Sequence, residues 1–263
     1  MNIISQYLRS HKNSCALIPF ITAGYPDIET TVKALYELDA QGADIIELGI
    51  PYSDALADGP VIQHASLIAL KQGIYIDQVL SVLEIVSNKL STPLIIFTYY
   101  NPILKRGINT FVEQISSMGV KGLIVPDLPL EETDELIDIC NSYNIELVLF
   151  VAPTSSIKRI EAISKKSPGC IYLVSSTGVT GVRDNVDTKV MELSNYIKQI
   201  SNKVIMLGFG ISKPKHIEKI AKWNIDGVVV GSAFIKELSA LHIDDRINSL
   251  SVLCKSLKKA TIL

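Results

Sequence analysis

The chain has 263 residues, 48% of them hydrophobic, and a formal net charge of −2. That length is ample for a core without disulfides or metal, and the near-neutral charge gives no electrostatic footprint for nucleic acid or an anionic membrane. No apolar run approaches the roughly 18 residues of a membrane span.

In chain order, residues 1–12 have the pattern of a short amphipathic helix. They lack the apolar centre of a signal peptide and the Arg/Ser-rich length of a transit peptide, so the protein is expected to work where it is made. Ala16–Thr22 predicts a buried strand, turned by Gly24, Tyr25 and Pro26. Asp27 can cap a helix running to about residue 41, with Glu29 in its first turn. The second strand covers residues 44–49, and Glu47 is the one carboxylate in its apolar run. A turn-rich loop follows, with Pro51, Ser53, Asp54, Asp58, Gly59 and Pro60. Helical patterns cover 61–71 and 76–89, separated by Gly73. Residues 93–98 are the third strand, Tyr99-Tyr100-Asn101-Pro102 its exit loop, and 108–118 a helix. The fourth strand, 121–125, is closed by Pro126-Asp127-Leu128-Pro129 and followed by a helix over 130–143. Strand five is 146–151 with a helix over 156–166; strand six is 170–174, with a long exit loop over 175–185 and a helix over 188–201. Strand seven, 203–207, leads through Gly208-Phe209-Gly210-Ile211-Ser212 to a helix over 215–223. Strand eight, 226–230, ends at Gly231-Ser232, which opens a short helix, and 244–259 is a last amphipathic helix.

Apolar strands alternating with helices argue βαβ units and a parallel sheet. Eight units in about 250 residues predict an α/β fold, a (β/α)8 TIM barrel, with an extra N-terminal helix and long loops after strands two and six. An open doubly-wound sheet is the alternative on strand count. No linker or composition shift divides the chain, so residues 1–263 are expected to form a single domain. Cys15, Cys140, Cys170 and Cys254 are far apart and read as reduced, mostly buried thiols. They and the scattered His11, His64, His216 and His242 show no metal-ligand spacing.

A barrel carries its chemistry at the C-terminal ends of its strands. That rule selects Phe20, Thr22, Glu47, Asp54, Asp58, Tyr100, Asp127, Tyr172, the glycine-flanked stretch 178–181, Phe209, Gly210, Gly231 and Ser232. Glycines after both of the last two strands, the second pair opening a helix, point to a phosphate-bearing ligand. The loop over 175–187 reads either as a solvated connection or as a lid flexing at Gly178 and Gly181. Alternation turns Ile46 and Leu48 outward and Glu47 towards the barrel axis, where it is a general acid/base or a structural partner of a barrel lysine. Burial favours its neutral form, and acids in the more solvated loop behind it would keep lower proton affinities. Asp58, before Gly59-Pro60, is a helix cap, a substrate acceptor or both. Phe20, Ile124 and Phe209 line a slot for a flat ring or belong to the core. On the residues alone, this is a barrel enzyme doing acid/base chemistry on a phosphorylated molecule with an apolar part.

Glu47-Leu48-Gly49-Ile50-Pro51-Tyr52-Ser53-Asp54-Ala55-Leu56-Ala57-Asp58-Gly59-Pro60-Val61-Ile62-Gln63 resembles the signature of the tryptophan synthase α-chain family. So do Pro19-Phe20-Ile21-Thr22-Ala23-Gly24-Tyr25-Pro26, Tyr99-Tyr100-Asn101-Pro102, Pro126-Asp127-Leu128-Pro129, Gly178-Val179-Thr180-Gly181, Gly208-Phe209-Gly210-Ile211-Ser212 and Gly231-Ser232-Ala233. The resemblance implies a lyase that splits indole-3-glycerol phosphate into indole and glyceraldehyde 3-phosphate. It implies Glu47 as acid/base at the indole C3 and the adjacent hydroxyl, Asp58 as acceptor of the indole N–H, and Tyr172 as an aid near Glu47. Thr180 would help position Asp58. Gly181, Gly210, Gly231 and Ser232 would hold the phosphate, and Phe20, Tyr100, Ile124 and Phe209 the indole. It further implies no cofactor in this chain, and a separate β chain carrying pyridoxal phosphate in an α2β2 complex. Residues 51–58 and 100–107 would face that partner. A stand-alone lyase and a silent regulatory subunit are the alternatives. Ala55 and the lid residues Ser176 and Thr177 depart from the family pattern, and Ala55 suggests a more mobile partner-facing loop.

Overall fold

Seven consecutive apolar or neutral residues, Ala16–Thr22, form β1, and all are buried, as expected of a parallel strand with one face on helices and the other in a barrel. The computed structural model describes residues 3–10, 15–87, 89–174, 188–208 and 210–262. The expected lid over 175–187, with Gly178, Thr180 and Gly181, lies outside the described residues, as do Phe209 and His11.

The remaining strands are β2 (Ile46–Gly49), β3 (Leu94–Phe97), β4 (Gly122–Ile124), β5 (Glu146–Val151), β6 (Cys170–Val174), β7 (Val204–Gly208) and β8 (Gly227–Val230). All pair in parallel in sequence order, and β8 returns to β1, so the sheet closes and the open doubly-wound alternative fails. The helices are α1 (Ile3–Ser10), α2 (Ile28–Ala40), α3 (Pro60–Lys71), α4 (Ile76–Val86), α5 (Tyr100–Arg106), α6 (Ile108–Ser117), α7 (Thr133–Ser142), α8 (Ile157–Lys166), α9 (Thr188–Ile200), α10 (Pro214–Ile220), α11 (Ser232–Glu237) and α12 (Ile243–Lys259). Local signals explain their starts: the Asp27 side chain accepts from Thr30 N, and Ser156 accepts from Arg159 N.

Three differences from the sequence reading have local causes. The stretch expected as a loop at Tyr99–Pro102 is the start of α5 instead; Pro102 falls in its first turn, where no intrahelical N–H is needed. Residues 130–132 form a 3-10 turn ahead of α7. Residues 44 and 45 precede β2 as a bend, and the Asp44 carboxylate is engaged elsewhere.

That engagement secures the N-terminal rim of the barrel. Asp44 accepts from Leu17 N at 2.8 Å and pairs with Lys258 Nζ of α12 at 2.5 Å. Asp226 does the same on the other side, accepting from Ile205 N at 2.7 Å and pairing with Lys198 Nζ of α9 at 2.6 Å. Beneath β5, the Glu146 carboxylate accepts from Ser5 N at 2.9 Å and anchors α1, whose Ile4 and Leu8 are buried. The opposite rim is left to the site.

Candidate active site

Glu47 and Gly49 share one face of β2, and Phe20 of β1 lies in register with Glu47. A Cβ on Gly49 would meet Phe20 Cζ at 2.6 Å, so the absent side chain lets the ring lie across the strand. Glu47 is 1% exposed, and its Oε2 has no hydrogen-bond partner among the described residues. No described ion pair involves it, so the barrel lysine considered above is missing. Burial, and then the neighbouring charge of Asp58, push its carboxyl up to about 8. At neutral pH it holds its proton.

Asp58 ends the loop after β2. The cap of α3 is Gly59, with Pro60 at the first helical position, so the capping alternative for Asp58 fails. Its carboxylate accepts the Tyr99 hydroxyl at 3.0 Å, and that same hydroxyl oxygen accepts the Ala57 N–H at 3.1 Å. Contrary to the solvated loop acid expected, Asp58 is 5% exposed. Burial raises its carboxyl to about 6, against the lowering effect of the Tyr99 bond. The Ala55 carbonyl accepts from Asp58 N and from Gln63 Nε2, both at 3.1 Å, so the loop around this departure is tied to α3. Asp54 is exposed and takes no part.

Both acids open into one cavity of about 710 Å³, counted to its open mouth. Phe20, Phe97, Val61, Ile62, Ile211 and Val229 give it an apolar wall; Gly210, Ser212, Gly231, Ser232 and Lys236 give it a polar end. Tyr172 of β6 also lines it, buried and tilted against Phe150 at 4.9 Å between ring centroids. Its ring occupies the space a side chain on Gly208 would need, which explains that glycine in β7. Burial, and then the charges of Glu47 and Asp58, keep Tyr172 a neutral phenol. Phe20, Phe97, Tyr99 and Tyr52 follow one another edge to face and then stacked, linking the cavity to the loop after β2. Among the described residues no group of three acids, histidines or cysteines could hold a metal ion.

The structure therefore brings together Phe20, Glu47, Asp58, Tyr172, Gly210, Gly231 and Ser232. It does not bring Tyr100 or Ile124 to this lining. Tyr100 is the first residue of α5 and donates its backbone N–H to Asp127 at 2.9 Å. Ile124 is fully buried in β4 beside its register partner Phe97. Thr180, Gly181 and Phe209 are outside the described residues. Sequence reasoning missed Phe97, Tyr99, Ser212 and Lys236. Alternation held the signal for Tyr99: two residues beyond inward-facing Phe97, it continues on the same side, whereas Tyr100 does not.

A closed eightfold barrel with buried acids at the strand C-termini defines a barrel with its candidate chemistry at the usual active face. The family model described as "Tryptophan synthase alpha chain" matches residues 7–262. A tryptophan synthase alpha chain from Antithamnion sp. is 81% identical over 263 residues, covering 100% of both chains. A structure of Mycobacterium tuberculosis tryptophan synthase superposes with a TM-score of 0.90 at 32% identity, covering 98% of this chain and 97% of that one. A chain of the tryptophan synthase complex from Pyrococcus furiosus gives 0.86 at 33% identity, covering 94% and 99%. The chain belongs to the tryptophan synthase α-chain family.

Proposed function

We propose that this chain cleaves indole-3-glycerol phosphate to indole and glyceraldehyde 3-phosphate, as the α subunit of a tryptophan synthase. One observation carries the reading: two buried carboxyls share a cavity with separated proton affinities, Glu47 near 8 and Asp58 near 6. At pH 7 one is an acid and the other a charged acceptor, which is the division of labour this retro-aldol reaction needs.

In the proposed sequence, Glu47 donates its proton to C3 of the indole. The ring nitrogen becomes cationic, and its N–H donates to the Asp58 carboxylate, which stabilises the charge. Glu47, now a carboxylate, takes the proton of the hydroxyl next to C3. The C–C bond breaks, its electron pair restores the aromatic ring, and the hydroxyl carbon leaves as the aldehyde. Glu47 ends protonated, as it began. Tyr172 assists beside Glu47, and Phe20 stacks on the ring. Gly210, Gly231 and Ser232 take the phosphate, with Gly181 and Thr180 completing the cover. Phe209, Tyr100 and Ile124 remain assigned to the indole pocket by family resemblance alone.

The reading needs no cofactor in this chain; pyridoxal phosphate belongs to the β chain. Residues 51–58 and 100–107 are proposed to meet that partner in an α2β2 assembly. Leu56 and Leu104, 85% and 55% exposed, support an apolar contact there. A bacterial cytoplasm or the stroma of a plastid that encodes the chain is the proposed compartment, and residues 1–263 are proposed to act as one barrel domain.

The test is product formation by purified chain with and without a β chain. Indole and glyceraldehyde 3-phosphate in equal amounts, with the rate raised by the β chain, support the reading. High turnover indifferent to the β chain points to the stand-alone lyase, and silence even with both partner and substrate to the regulatory subunit.

A further inference from the structure

The geometry points to a charged half of the anion end of this cavity: the Lys236 ammonium and the Ser212 hydroxyl bind the substrate's phosphate and set the preference for an anionic over a neutral ligand. This deepens the function proposed above and rests on it.

Backbone N–H groups offered by Gly210 and Gly231 carry only partial charge. The same cavity contains two carboxyls, and an ionised Asp58 repels a dianion across it. A compensating cation is needed, and Lys236 is the only one among the described lining residues. It stands four residues after Ser232 in α11, one helical turn on, so the two side chains share a face. Its ammonium has no ion-pair or hydrogen-bond partner among the described residues. Thus no described acid neutralises it, and its long stem lets the charge move onto a ligand at the mouth.

Ser212 supplies the independent observation. Its Oγ is buried and has no hydrogen-bond partner among the described residues, yet the residue lines the same cavity, two positions beyond Gly210. A buried hydroxyl without a partner is costly, and native structures satisfy nearly all such groups. A phosphate oxygen held by Gly210 and Ser232 would satisfy it.

The experiment titrates the folded chain with glycerol 3-phosphate and with glycerol, and measures kcat and KM for indole-3-glycerol phosphate. Lys236→Met should weaken glycerol 3-phosphate binding about 10- to 100-fold and raise KM by a similar factor, with kcat within about threefold of the parent. Lys236→Arg should recover most of the affinity. Ser212→Ala should cost about 3- to 10-fold, and binding of glycerol should change in neither variant. Parent-like affinity for glycerol 3-phosphate in Lys236→Met, with unchanged thermal unfolding, overturns the proposal, as does a loss confined to kcat. If the parent chain binds glycerol 3-phosphate through Lys236 but releases no indole, the functional reading fails while this one stands.

Discussion

The Tyr99 hydroxyl donates to Asp58 Oδ2 at 3.0 Å while accepting the Ala57 N–H at 3.1 Å. One side chain thus fixes the loop acid in place and lowers its proton affinity against the burial that raises it. Stacking of Tyr99 on Tyr52 at 5.0 Å ties the same residue to the loop proposed to face the partner.

Removing that hydroxyl has a signed consequence. A hydrogen bond to the charged form lowers a carboxyl pKa, so Tyr99→Phe raises that of Asp58. In kcat/KM against pH, the acid limb should move up by about one unit, so the rate falls about twofold at pH 7 and about tenfold at pH 5. The basic limb, set by Glu47, should stay in place. The substrate's second phosphate ionisation also lies near about 6, but it does not respond to this substitution. An unmoved acid limb would assign that limb to the phosphate.

The parent profile should itself be bell-shaped. Below about 6 Asp58 becomes neutral and loses its hold on the ring N–H; above about 8 Glu47 loses the proton it must give to C3. Activity measured from pH 5 to 9.5 should peak between these values. A profile still rising at pH 9 would contradict a neutral Glu47.

Stability follows the same protons. Glu47 titrates at about 8 in the folded chain against 4.5 as the ordinary value, so between these the folded state binds more protons than the unfolded. Stability from this group is therefore full below 4.5 and is lost as pH rises towards about 8. Glu47→Gln, which cannot ionise, should melt about 5 °C above the parent at pH 9, corresponding to about 2 kcal/mol. The gap should close near pH 5 in scanning calorimetry; an equal gap at both pH values would show that packing, and not titration, is responsible.

At the opposite rim, Asp44→Ala leaves the Leu17 N–H and the Lys258 ammonium without the carboxylate they share. The expected cost is about 2–3 kcal/mol, or about 5–10 °C in melting temperature. The pair lies at the strand N-termini, away from the cavity, so kcat should be unchanged. A fall in kcat without a fall in melting temperature would contradict this division between the two rims.

The barrel was legible because parallel strands buried on both faces leave long apolar runs: Ala16–Thr22, Glu146–Val151 and Cys170–Val174 were read with the bounds they have. Glu47 was legible because a lone carboxylate interrupts such a run. Asp58 was only half legible. Its sequence neighbours are turn formers, and nothing local shows that Tyr99, 41 residues on, closes over it. Tyr99 was not singled out, because reading Tyr99-Tyr100-Asn101-Pro102 as an exit loop hid the alternation that continues from Phe97. Ser212 and Lys236 depend on two loops converging, which no single stretch records.

The central claim is that Glu47 moves the protons while Asp58 holds the ring nitrogen. Indole release from indole-3-glycerol phosphate by Glu47→Gln and Asp58→Asn, with the β chain present, tests it most directly. The account predicts losses in kcat of about 100-fold or more in each, with KM for the phosphorylated substrate little changed. Near-parental turnover in both variants would contradict it.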